Sequence, residues 1–452
     1  MASKRVESYE QRVVVGLGAT GLSCARYLYR RGAPFSVVDT RMQPPGLDEL
    51  RAEMPDVEIF AGDYPIEMIT NATELVVSPG ISMAAPIVLQ AQHAGTDVVG
   101  DIDLFMREAG VPVIGITGSN AKSTVTELLG QMARDAHLNV GVGGNLGTPA
   151  LDLLSQERDL YVLELSSFQL ERADRLGLAV ATVLNVSADH MDRHRTMTAY
   201  QKAKQRIFRG CKKVVINRDA PLTMPLLSSD VDAVGWSMKE PEPGDFGLRR
   251  QADVEYLCFG LDVLLPVSEL RLIGRHNIAN ALAALALGHS VGLSLSSMQA
   301  SLQTFAGLPH RCELVADVEG VRFVNDSKGT NVGATEAALS GVGGARDILL
   351  IAGGQGKGAD FYQLQEAVTR HCKLLILIGE DALLLQEALS SCVAVLRVSS
   401  LDEAVNVAAL EAKAGDVVLL SPACASFDMF SGFQQRGEAF CSLVNALNGG
   451  VK

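Results

Sequence analysis

Residues 115–126, GITGSNAKSTVT, decide the fold, because they join an apolar run to a helical pattern. The run PVIGIT (112–117) is typical of a buried strand, and STVTELLGQMARDA (123–136) is typical of a helix. A strand, a short loop and a helix with Lys122 and Ser123 at its start predict a loop that binds nucleotide phosphates.

Two residues of this loop depart from the usual phosphate-loop pattern. Gly115 lies seven residues before Lys122, one more than is usual, and Ala121 stands where Gly is usual. An alanine fits there only if its φ stays negative, so we predict a helical-type φ at Ala121. From the residues alone, the alternative is a strand–turn–helix that carries a Lys-Ser pair by chance.

Length and composition limit the classes of protein. A chain of 452 residues favours two or three domains. The net charge of −13 argues against general binding to nucleic acids or membrane surfaces. No apolar run approaches a membrane span, and MASKRVESYEQ at the N-terminus lacks the apolar core of a secretory signal. Eight cysteines without a CxxC pair are typical of reduced thiols, so we expect a cytoplasmic protein.

Short apolar runs bounded by turn residues alternate with helical patterns along the whole chain, which predicts repeated parallel α/β sheets. In such sheets the polar residues that follow each strand form the ligand site. We predict domains at residues 1–100, 101–306 and 307–452. Within the second, residues 225–272 are less regular and are expected to hold strands that pack on the main sheet. The predicted strands lie in segments 12–18, 35–39, 74–80, 112–118, 160–166, 180–187, 213–219, 347–354, 373–379 and 416–422.

The first domain opens with GLGATG (16–21) between a strand and a helix, and Asp39 ends the next strand. This arrangement is the fingerprint of a pyrophosphate-binding loop at a helix N-terminus. From the residues alone, the ligand could be NAD or another nucleotide such as a UDP-sugar, and a tight turn without a ligand is the third alternative.

Two further segments of the second domain carry candidate ligands. Glu164 lies inside the apolar strand LELSS, where a carboxylate is costly unless it is paired or bound to a metal. NVSADHMDRH (185–194) places Asp189, His190, Asp192 and His194 in one loop. The alternatives are a strand with a solvent-facing polar side and a solvated loop, and the latter interpretation suits Asp192 and His194.

Ten motifs follow one another along nearly the whole chain. They are GITGSNAKST, GGNLGTP (143–149), LELSSFQLE (163–171), NVSADHMDRH, YQKAKQRIF (200–208), GRHNIANALAA (274–284), LPHRCE (308–313), NDSKGTN (325–331), GGQGKGADF (353–361) and SPACASFDMF (421–430). Their order and spacing resemble the Mur ligase superfamily, which is related to folylpolyglutamate synthase. Within the superfamily, the last two motifs resemble the members that add D-glutamate.

The resemblance implies an α/β fold of three domains: a Rossmann-like N-terminal domain, a P-loop ATPase-like central domain and a Rossmann-like C-terminal domain. It implies an ATP-dependent amide ligase of peptidoglycan precursor synthesis that uses two Mg²⁺ ions and an acyl-phosphate intermediate. The expected substrates are UDP-N-acetylmuramoyl-L-alanine, D-glutamate and ATP. We expect a monomer with no nucleic-acid or membrane partner. The unusual spacing to Gly115 is normal in this family, so only Ala121 departs from it.

The resemblance also assigns site residues. Lys122, His190 and Lys204 are the expected catalytic residues, and Lys204 matches a lysine that is carbamylated in the family. From the residues alone, Lys202 and Lys204 could both be solvated lysines of an amphipathic helix, and Lys328 a surface lysine. The expected Mg²⁺ ligands are Ser123, Glu164, His190 and Lys204. The expected ATP contacts are Gly118, Ser119, Asn120, Ala121, Lys122, Ser123, Thr124, Asn277, Arg311 and Asp326.

The remaining assignments concern the two other substrates. In the first domain the resemblance favours the uridine nucleotide over NAD. Rival interpretations are a sister ligase for another amino acid, a folylpolyglutamate synthase-like ligase, a non-catalytic nucleotide-binding regulator and an NAD-dependent dehydrogenase. The expected D-glutamate contacts are Thr330, Lys357, Ser426, Phe427 and Phe433. The expected uridine-substrate contacts are Gly18, Ala19, Thr20, Asp39, Thr40, Arg41, Ser78, Pro79, Gly80 and Asn145.

Overall fold

The computed structural model describes residues 11–449 except 175, 227–230 and 273. Residues 1–10, where the sequence predicts no secretory signal, lie outside the described residues. The chain forms three sheets in succession, each flanked by helices, and this confirms the predicted α/β fold of three domains. The predicted boundaries at residues 100 and 306 stay predictions.

The N-terminal domain has a parallel sheet of order β3-β2-β1-β4-β5. Because the strand order reverses between β1 and β4, a ligand crevice is expected beyond their carboxyl ends. The loops that follow these two strands carry Gly18 and Ser78. The elements are β1 (Arg12–Val15), α1 (Ala19–Arg30), β2 (Phe35–Asp39), α2 (Leu47–Glu53), β3 (Glu58–Ala61), α3 (Ile66–Thr70), β4 (Glu74–Val77), α4 (Pro86–Ala94), β5 (Asp97–Val99) and α5 (Asp101–Glu108).

The central domain begins with β6 (Val113–Thr117), every residue of which is buried, and α6 (Lys122–Asp135). Its sheet has the order β14-β13-β12-β11-β10-β9-β6-β8-β7. The later elements are β7 (Val140–Gly144), α7 (Ala150–Leu153), β8 (Leu160–Glu164), α8 (Ser167–Leu170), β9 (Val180–Val183), α9 (Met191–His194), α10 (Met197–Gln205), β10 (Lys213–Asn217), β11 (Asp232–Trp236), β12 (Phe246–Gln251), β13 (Val254–Phe259), β14 (Asp262–Pro266), α11 (Arg275–Ser290) and α12 (Leu295–Thr304).

The C-terminal domain has a sheet of order β15-β16-β20-β17-β18-β19, in which β15 pairs antiparallel with β16 at one edge. The strands β17 and β20 at its centre are fully buried, as continuous apolar runs of a two-sided parallel sheet should be. The elements are β15 (Glu313–Val318), β16 (Val321–Asn325), α13 (Val332–Val342), β17 (Ile348–Gly353), α14 (Gln365–His371), β18 (Cys372–Ile378), α15 (Ala382–Leu389), β19 (Ala394–Arg397), α16 (Leu401–Glu411), β20 (Val417–Leu420) and α17 (Phe433–Gly449).

All ten predicted strand segments contain strands, because each has enough buried apolar residues to be recognised. The prediction for residues 225–272 is wrong in one respect. The strands β11 to β14 do not pack on the main sheet but extend it sideways, with β12, β13 and β14 forming an antiparallel meander at its edge. Within the described residues, no helix is long and apolar enough to cross a membrane.

Gly21, the last glycine of the GLGATG motif, is needed because two backbone segments approach closely there. A Cβ on Gly21 would collide with the carbonyl oxygen of Gly16, whereas a Cβ on Gly18 would meet no atom within 4 Å. The hydroxyl of Ser78 donates to the same Gly16 oxygen at 2.7 Å. This bond ties the loop after β4 to the loop after β1.

We therefore expect Gly21→Ala to lower the free energy of unfolding of the N-terminal domain by about 1–3 kcal/mol, as overpacking does. Gly18→Ala is the matched control, because Gly18 has a φ of −92° and open space around it. Thermal unfolding followed by calorimetry measures both variants. Equal losses in the two variants would contradict the close approach.

Candidate active site

The loop between β6 and α6 has the shape of a phosphate loop in which the lysine is folded back on the backbone. Lys122 Nζ donates to the carbonyl oxygens of Gly118 at 2.8 Å and Ser119 at 2.9 Å. Burial lowers the pKa of Lys122, although Glu164 and Asp189 oppose the shift. Within the described residues, the amine thus donates to backbone oxygens and not to a carboxylate.

The segment that follows β9 holds the loop in place through hydrogen bonds. Asn185 accepts the Ser119 and Asn120 N–H groups, with its backbone oxygen at 3.0 Å and its side-chain oxygen at 2.8 Å. Its Nδ2 donates back to Asn120 O at 3.1 Å. Ser119 Oγ also donates to Ser187 O at 2.9 Å and lies 3.1 Å from the Tyr200 hydroxyl. These bonds fix the loop without any ligand.

Ala121 has a φ of 68° and a ψ of −7°, so the prediction of a helical-type φ is wrong. The chain must turn through the left-handed region at this residue to place Lys122 at the start of α6. A Cβ in that region crowds the backbone, and the conformation costs about 1–3 kcal/mol for residues other than glycine. Ala121 is therefore a strained residue at the centre of the loop.

Lys204 on α10 is buried, with only 1 % of its surface exposed, whereas Lys202 two residues earlier is exposed. The interpretation of Lys204 as a solvated lysine is therefore wrong. Its Nζ donates to Gly118 O at 2.8 Å and lies 4.4 Å from the ring centre of Tyr200. Burial, and then the nearby Lys122, lower the pKa of Lys204 well below its usual value. Two lysine amines thus share one carbonyl oxygen.

Glu164 ends β8 and is 3 % exposed, so its carboxylate does not face solvent. Its Oε1 accepts a hydrogen bond of 2.6 Å from Asn145 Nδ2, and its buried Oε2 has no protein partner. A buried carboxylate oxygen without a donor is suited to a hard cation such as Mg²⁺. Ser123 lines the same cavity as Glu164, and its Oγ accepts a 2.6 Å hydrogen bond from Arg311 Nη2. The oxygen donors of Glu164 and Ser123 fit Mg²⁺.

His190 directly precedes α9 as its N-cap residue and lines the same cavity. Its backbone N–H donates to Asp189 Oδ1 at 2.9 Å, and its ring lies 4.9 Å from the ring centre of Phe168. Burial lowers the pKa of His190, which favours a neutral ring that can act as a ligand or base. Asp192 is exposed, in agreement with a solvated loop, but His194 is buried and lies 2.9 Å from Ser167 Oγ. A solvated His194 is therefore a wrong interpretation.

One cavity of about 440 Å³ joins these central-domain residues to the C-terminal domain. Lys357 follows β17 and lies 5.9 Å from the ring centre of Phe427, which is exposed. Lys328 Nζ lies 4.0 Å from the ring centre of Phe433. Burial lowers the pKa of Lys328 to about 8, so it is not a simple surface lysine. The lining includes Lys122, Ser123, Asn145, Glu164, His190, Lys204, Arg311, Thr330, Lys357, Ser426, Phe427 and Phe433.

A second cavity of about 380 Å³ adjoins the other side of the phosphate loop. It is lined by Thr124, Asn277 and Asp326 from the predicted ATP set, and by Asn120, Ala121 and Arg311, which also line the first cavity. Asp326 accepts from Ser421 Oγ at 2.7 Å, and burial raises its pKa to about 7. Asn277 accepts from Asn280 Nδ2 at 2.9 Å. The two cavities meet at the phosphate loop and Arg311.

The predicted uridine-substrate residues, apart from Asn145, lie in the N-terminal domain at the carboxyl ends of β1, β2 and β4. The carboxylate of Asp39 accepts the N–H of Leu17 at 2.7 Å and is also paired with the Arg41 guanidinium at 2.6 Å. Thr40 and Arg41 are exposed beside it. Asp39 therefore shapes the loop, while Thr40 and Arg41 remain accessible.

Sequence reasoning missed several residues that hold the site together. Arg172 donates to the carbonyl oxygens of Val77 at 3.0 Å and Ile81 at 2.9 Å, and these bonds hold the loop after β4 against the central domain.

Asn331 contacts the phosphate loop from the C-terminal domain. An asparagine just before an apolar helix is an N-cap signal, but nothing in the sequence indicates what else it contacts. Trp236, the one tryptophan of the chain, lines the second cavity.

Three family descriptions match the chain over most of its length. Residues 10–100 match "Mur ligase MurD-like, N-terminal domain", residues 116–288 match "Mur ligase middle domain", and residues 310–424 match "Mur ligase, glutamate ligase domain". Among curated proteins, the UDP-N-acetylmuramoylalanine--D-glutamate ligase of Pseudomonas aeruginosa is 54% identical over 438 residues, which are 96% of this chain and 98% of the relative. The enzyme of the same name from Marinobacter nauticus is 52% identical over 98% of this chain and 99% of the relative.

Solved structures of low identity share the fold. A pseudomurein peptide ligase type C from Methanothermus fervidus superimposes with a TM-score of 0.62 at 18% identity, over 97% of this chain and 100% of that one. UDP-N-acetylmuramate-alanine ligase MurC from Thermotoga maritima has a TM-score of 0.60 at 17% identity, over 96% and 99%. The likeness therefore extends over all three domains.

The strain at Ala121 leads to a stability prediction. Ala121→Gly should raise the free energy of unfolding by about 0.5–1 kcal/mol, because glycine adopts the left-handed conformation without a Cβ penalty. Ala136→Gly, at the other end of α6 with a φ of −83°, is the control and should lower it. Chemical denaturation measures both. A loss of stability in Ala121→Gly would show that the alanine is not strained.

Proposed function

The chain belongs to the Mur ligase family, and from this premise we propose that it joins D-glutamate to UDP-N-acetylmuramoyl-L-alanine at the expense of ATP in peptidoglycan precursor synthesis. The proposal is carried by one observation: the phosphate loop and the predicted amino-acid pocket of the C-terminal domain line the same cavity. The names of the relatives at 54% and 52% identity support this substrate pair. They do not favour a sister ligase, a folylpolyglutamate synthase-like ligase or a dehydrogenase.

In the proposed reaction, the alanyl carboxylate attacks the γ-phosphorus of ATP, and ADP leaves. The amine of D-glutamate then attacks the acyl carbon of the acyl phosphate, and the tetrahedral intermediate expels inorganic phosphate to form the amide. The difficulty is to hold several anions together and to stabilise charge on the transferring phosphoryl group. Lys122, the loop N–H groups and Arg311 act on these charges.

We assign the second cavity to the rest of the nucleotide. We assign Asn277 to adenine. We assign Asp326 to the ribose, because a carboxylate oxygen with a free lone pair can accept a hydrogen bond from a ribose hydroxyl. Gly118, Ser119, Asn120, Ala121 and Thr124 surround the phosphates. In the N-terminal domain Gly18, Ala19, Thr20, Thr40, Arg41, Ser78, Pro79 and Gly80 hold the uridine nucleotide, with Asp39 shaping the loop, while Asn145 meets the substrate near the reacting carboxylate.

Mg²⁺ would be held by Ser123 and Glu164, and a second ion by His190 and a carbamylated Lys204. When bound, the two ions reduce the repulsion between the phosphates and the attacking carboxylate. The orphan Oε2 of Glu164 supports the first assignment. To bind Mg²⁺, Ser123 Oγ must give up the hydrogen bond that it accepts from Arg311. The Arg311 guanidinium is then free to bind the γ-phosphate of ATP.

Carbamylation of Lys204 is supported by its surroundings. The reaction with carbon dioxide requires a neutral amine, and burial beside Lys122 disfavours the ammonium form. The neutral amine adds to carbon dioxide and releases one proton, and the product carries a negative charge and two hard oxygens. The reaction thus places an anion next to the Lys122 amine.

We assign Thr330, Lys357, Ser426, Phe427 and Phe433 to D-glutamate. Lys357 is exposed and can pair with a carboxylate of the amino acid. Because one chain supplies residues for all three substrates, a monomer is sufficient. We propose a cytoplasmic location, because ATP and a nucleotide-linked precursor are substrates of the proposed reaction.

The principal test is phosphate release by the purified protein with ATP, Mg²⁺, UDP-N-acetylmuramoyl-L-alanine and a panel of amino acids. We expect release with D-glutamate only, and none without the uridine substrate. Equal release with L-glutamate, or with no uridine substrate, would refute the assignment. ATP binding without release in every mixture would favour a regulator.

Lys204→Ala should lower kcat at least a hundredfold, which corresponds to about 2.7 kcal/mol of transition-state stabilisation. ATP binding, measured by equilibrium titration, should change less, because the phosphate loop keeps Lys122. Lys202→Ala is the control and should retain activity, since Lys202 is exposed on the same helix. Added acetate should restore part of the activity of Lys204→Ala only. Wild-type turnover in Lys204→Ala would exclude the carbamate.

A further inference from the structure

Asn331 belongs to the C-terminal domain, yet its side chain bonds to the central domain. Its Nδ2 donates to Asn120 Oδ1 in the phosphate loop and to Asp189 Oδ2, both at 3.1 Å. Asn120 Nδ2 returns a longer bond of 3.4 Å to Asn331 Oδ1. Asn331 is 8 % exposed, so these bonds are made in a largely dry interface.

The orientation of this carboxamide is set by its own helix. Asn331 is the N-cap of α13, and its Oδ1 accepts the backbone N–H of Ala334 at 2.9 Å. Because the oxygen is committed to the cap, both hydrogens of Nδ2 face the central domain. The position of α13 thus determines where two hydrogen-bond donors lie relative to the phosphate loop.

The two acceptors belong to segments that the proposed reaction uses. Asn120 lies two residues before Lys122, and Asp189 accepts the backbone N–H of His190 at 2.9 Å. The interface is also closely packed, since a Cβ on Gly333 would lie 2.9 Å from Ser187 Oγ. The backbone of Asn120 is held separately by Asn185. The phosphate loop therefore keeps its shape without Asn331. Its alignment with the C-terminal domain rests on this contact together with the bond of Arg311 Nη2 to Ser123 Oγ.

We infer that Asn331 is a positioning residue that aligns the C-terminal domain, and with it the amino-acid pocket, against the phosphate loop and the His190 segment. The inference goes beyond the proposed function, on which it rests, by assigning the contact that sets the approach of the two substrates. The same contact links Thr330 and Lys328, its neighbours in the chain, to the loop that carries Lys122. A displacement of this helix by a fraction of an ångström misaligns amine and acyl carbon.

The test uses Asn331→Asp, which separates the two roles of the side chain. Aspartate is as good an N-cap as asparagine, so α13 and the fold should be preserved. The variant replaces both donors by a carboxylate that faces the carboxylate of Asp189 and the oxygen of Asn120. Asn331→Ser is a neutral second variant, since serine also caps helices but cannot reach the central domain. Ser400→Asp, at the N-cap of α16 in the same domain, is the matched control.

We expect Asn331→Ser to unfold at the wild-type temperature and to bind ATP with wild-type affinity. Asn331→Asp keeps the helix cap but places its carboxylate against that of Asp189 in a largely dry interface, so it should unfold at a lower temperature than Asn331→Ser. The kcat/KM of both variants for D-glutamate should fall at least tenfold, equivalent to about 1.4 kcal/mol, and more in Asn331→Asp than in Asn331→Ser. Ser400→Asp should keep the wild-type value. If the wild type shows D-glutamate-dependent phosphate release and both variants retain its kcat/KM, the inference is overturned. Absence of that release in the wild type would instead refute the proposed function.

Discussion

Two buried lysine amines converge on a single carbonyl oxygen, and the rest of the site is arranged around this contact. Lys122 and Lys204 each lie 2.8 Å from Gly118 O, although one belongs to the phosphate loop and the other to α10. Two ammonium groups this close repel strongly in a medium of low dielectric constant. The free protein tolerates the arrangement because burial disfavours protonation. In our proposal, anions balance the charge of these amines. They are the ATP phosphates beside Lys122 and a carbamate on Lys204.

Two domains contribute charged side chains to this centre. The acids are Glu164 at the end of β8 and Asp189 in the loop after β9, both from the central domain. The cations are Lys122 and Lys204 from the central domain and Arg311, Lys328 and Lys357 from residues 307–452. A chain with a net charge of −13 thus concentrates cations where three anionic substrates are proposed to meet. Arginine contacts with carbonyl oxygens, such as those of Arg172 with the loop after β4, join the N-terminal domain to the same framework. Apolar packing also joins the N-terminal and central domains, since Leu28 and Phe105 of the former share one buried cluster with Leu151 of the latter.

The sequence predicted what depends on local pattern. The ten buried strands were recognisable because each is an apolar run bounded by turn residues, and the glycine loops followed from their places between strands and helices. Strands β3, β5, β7, β15, β16 and β19 were not predicted. Among them β3, β15 and β19 are partly exposed and β7 is rich in glycine, which weakens the periodic signal. The φ of Ala121 was predicted wrongly. The identity of a residue determines only how much free energy a backbone conformation costs. The geometry of the turn into α6 decides whether the chain adopts it.

By itself, the sequence determined the α/β class, the order of the three domains and, through long ordered motifs, the set of candidate residues. Only the tertiary structure decided which of them are buried together. Lys202 and Lys204 are equivalent in the sequence pattern, yet one is exposed and the other meets Gly118, 86 residues away in the chain. Asn331 is an ordinary helix cap by sequence, and its bond to Asn120 spans 211 residues. Burial and hydrogen bonding across such separations depend on how the sheets and domains pack, which no local pattern specifies.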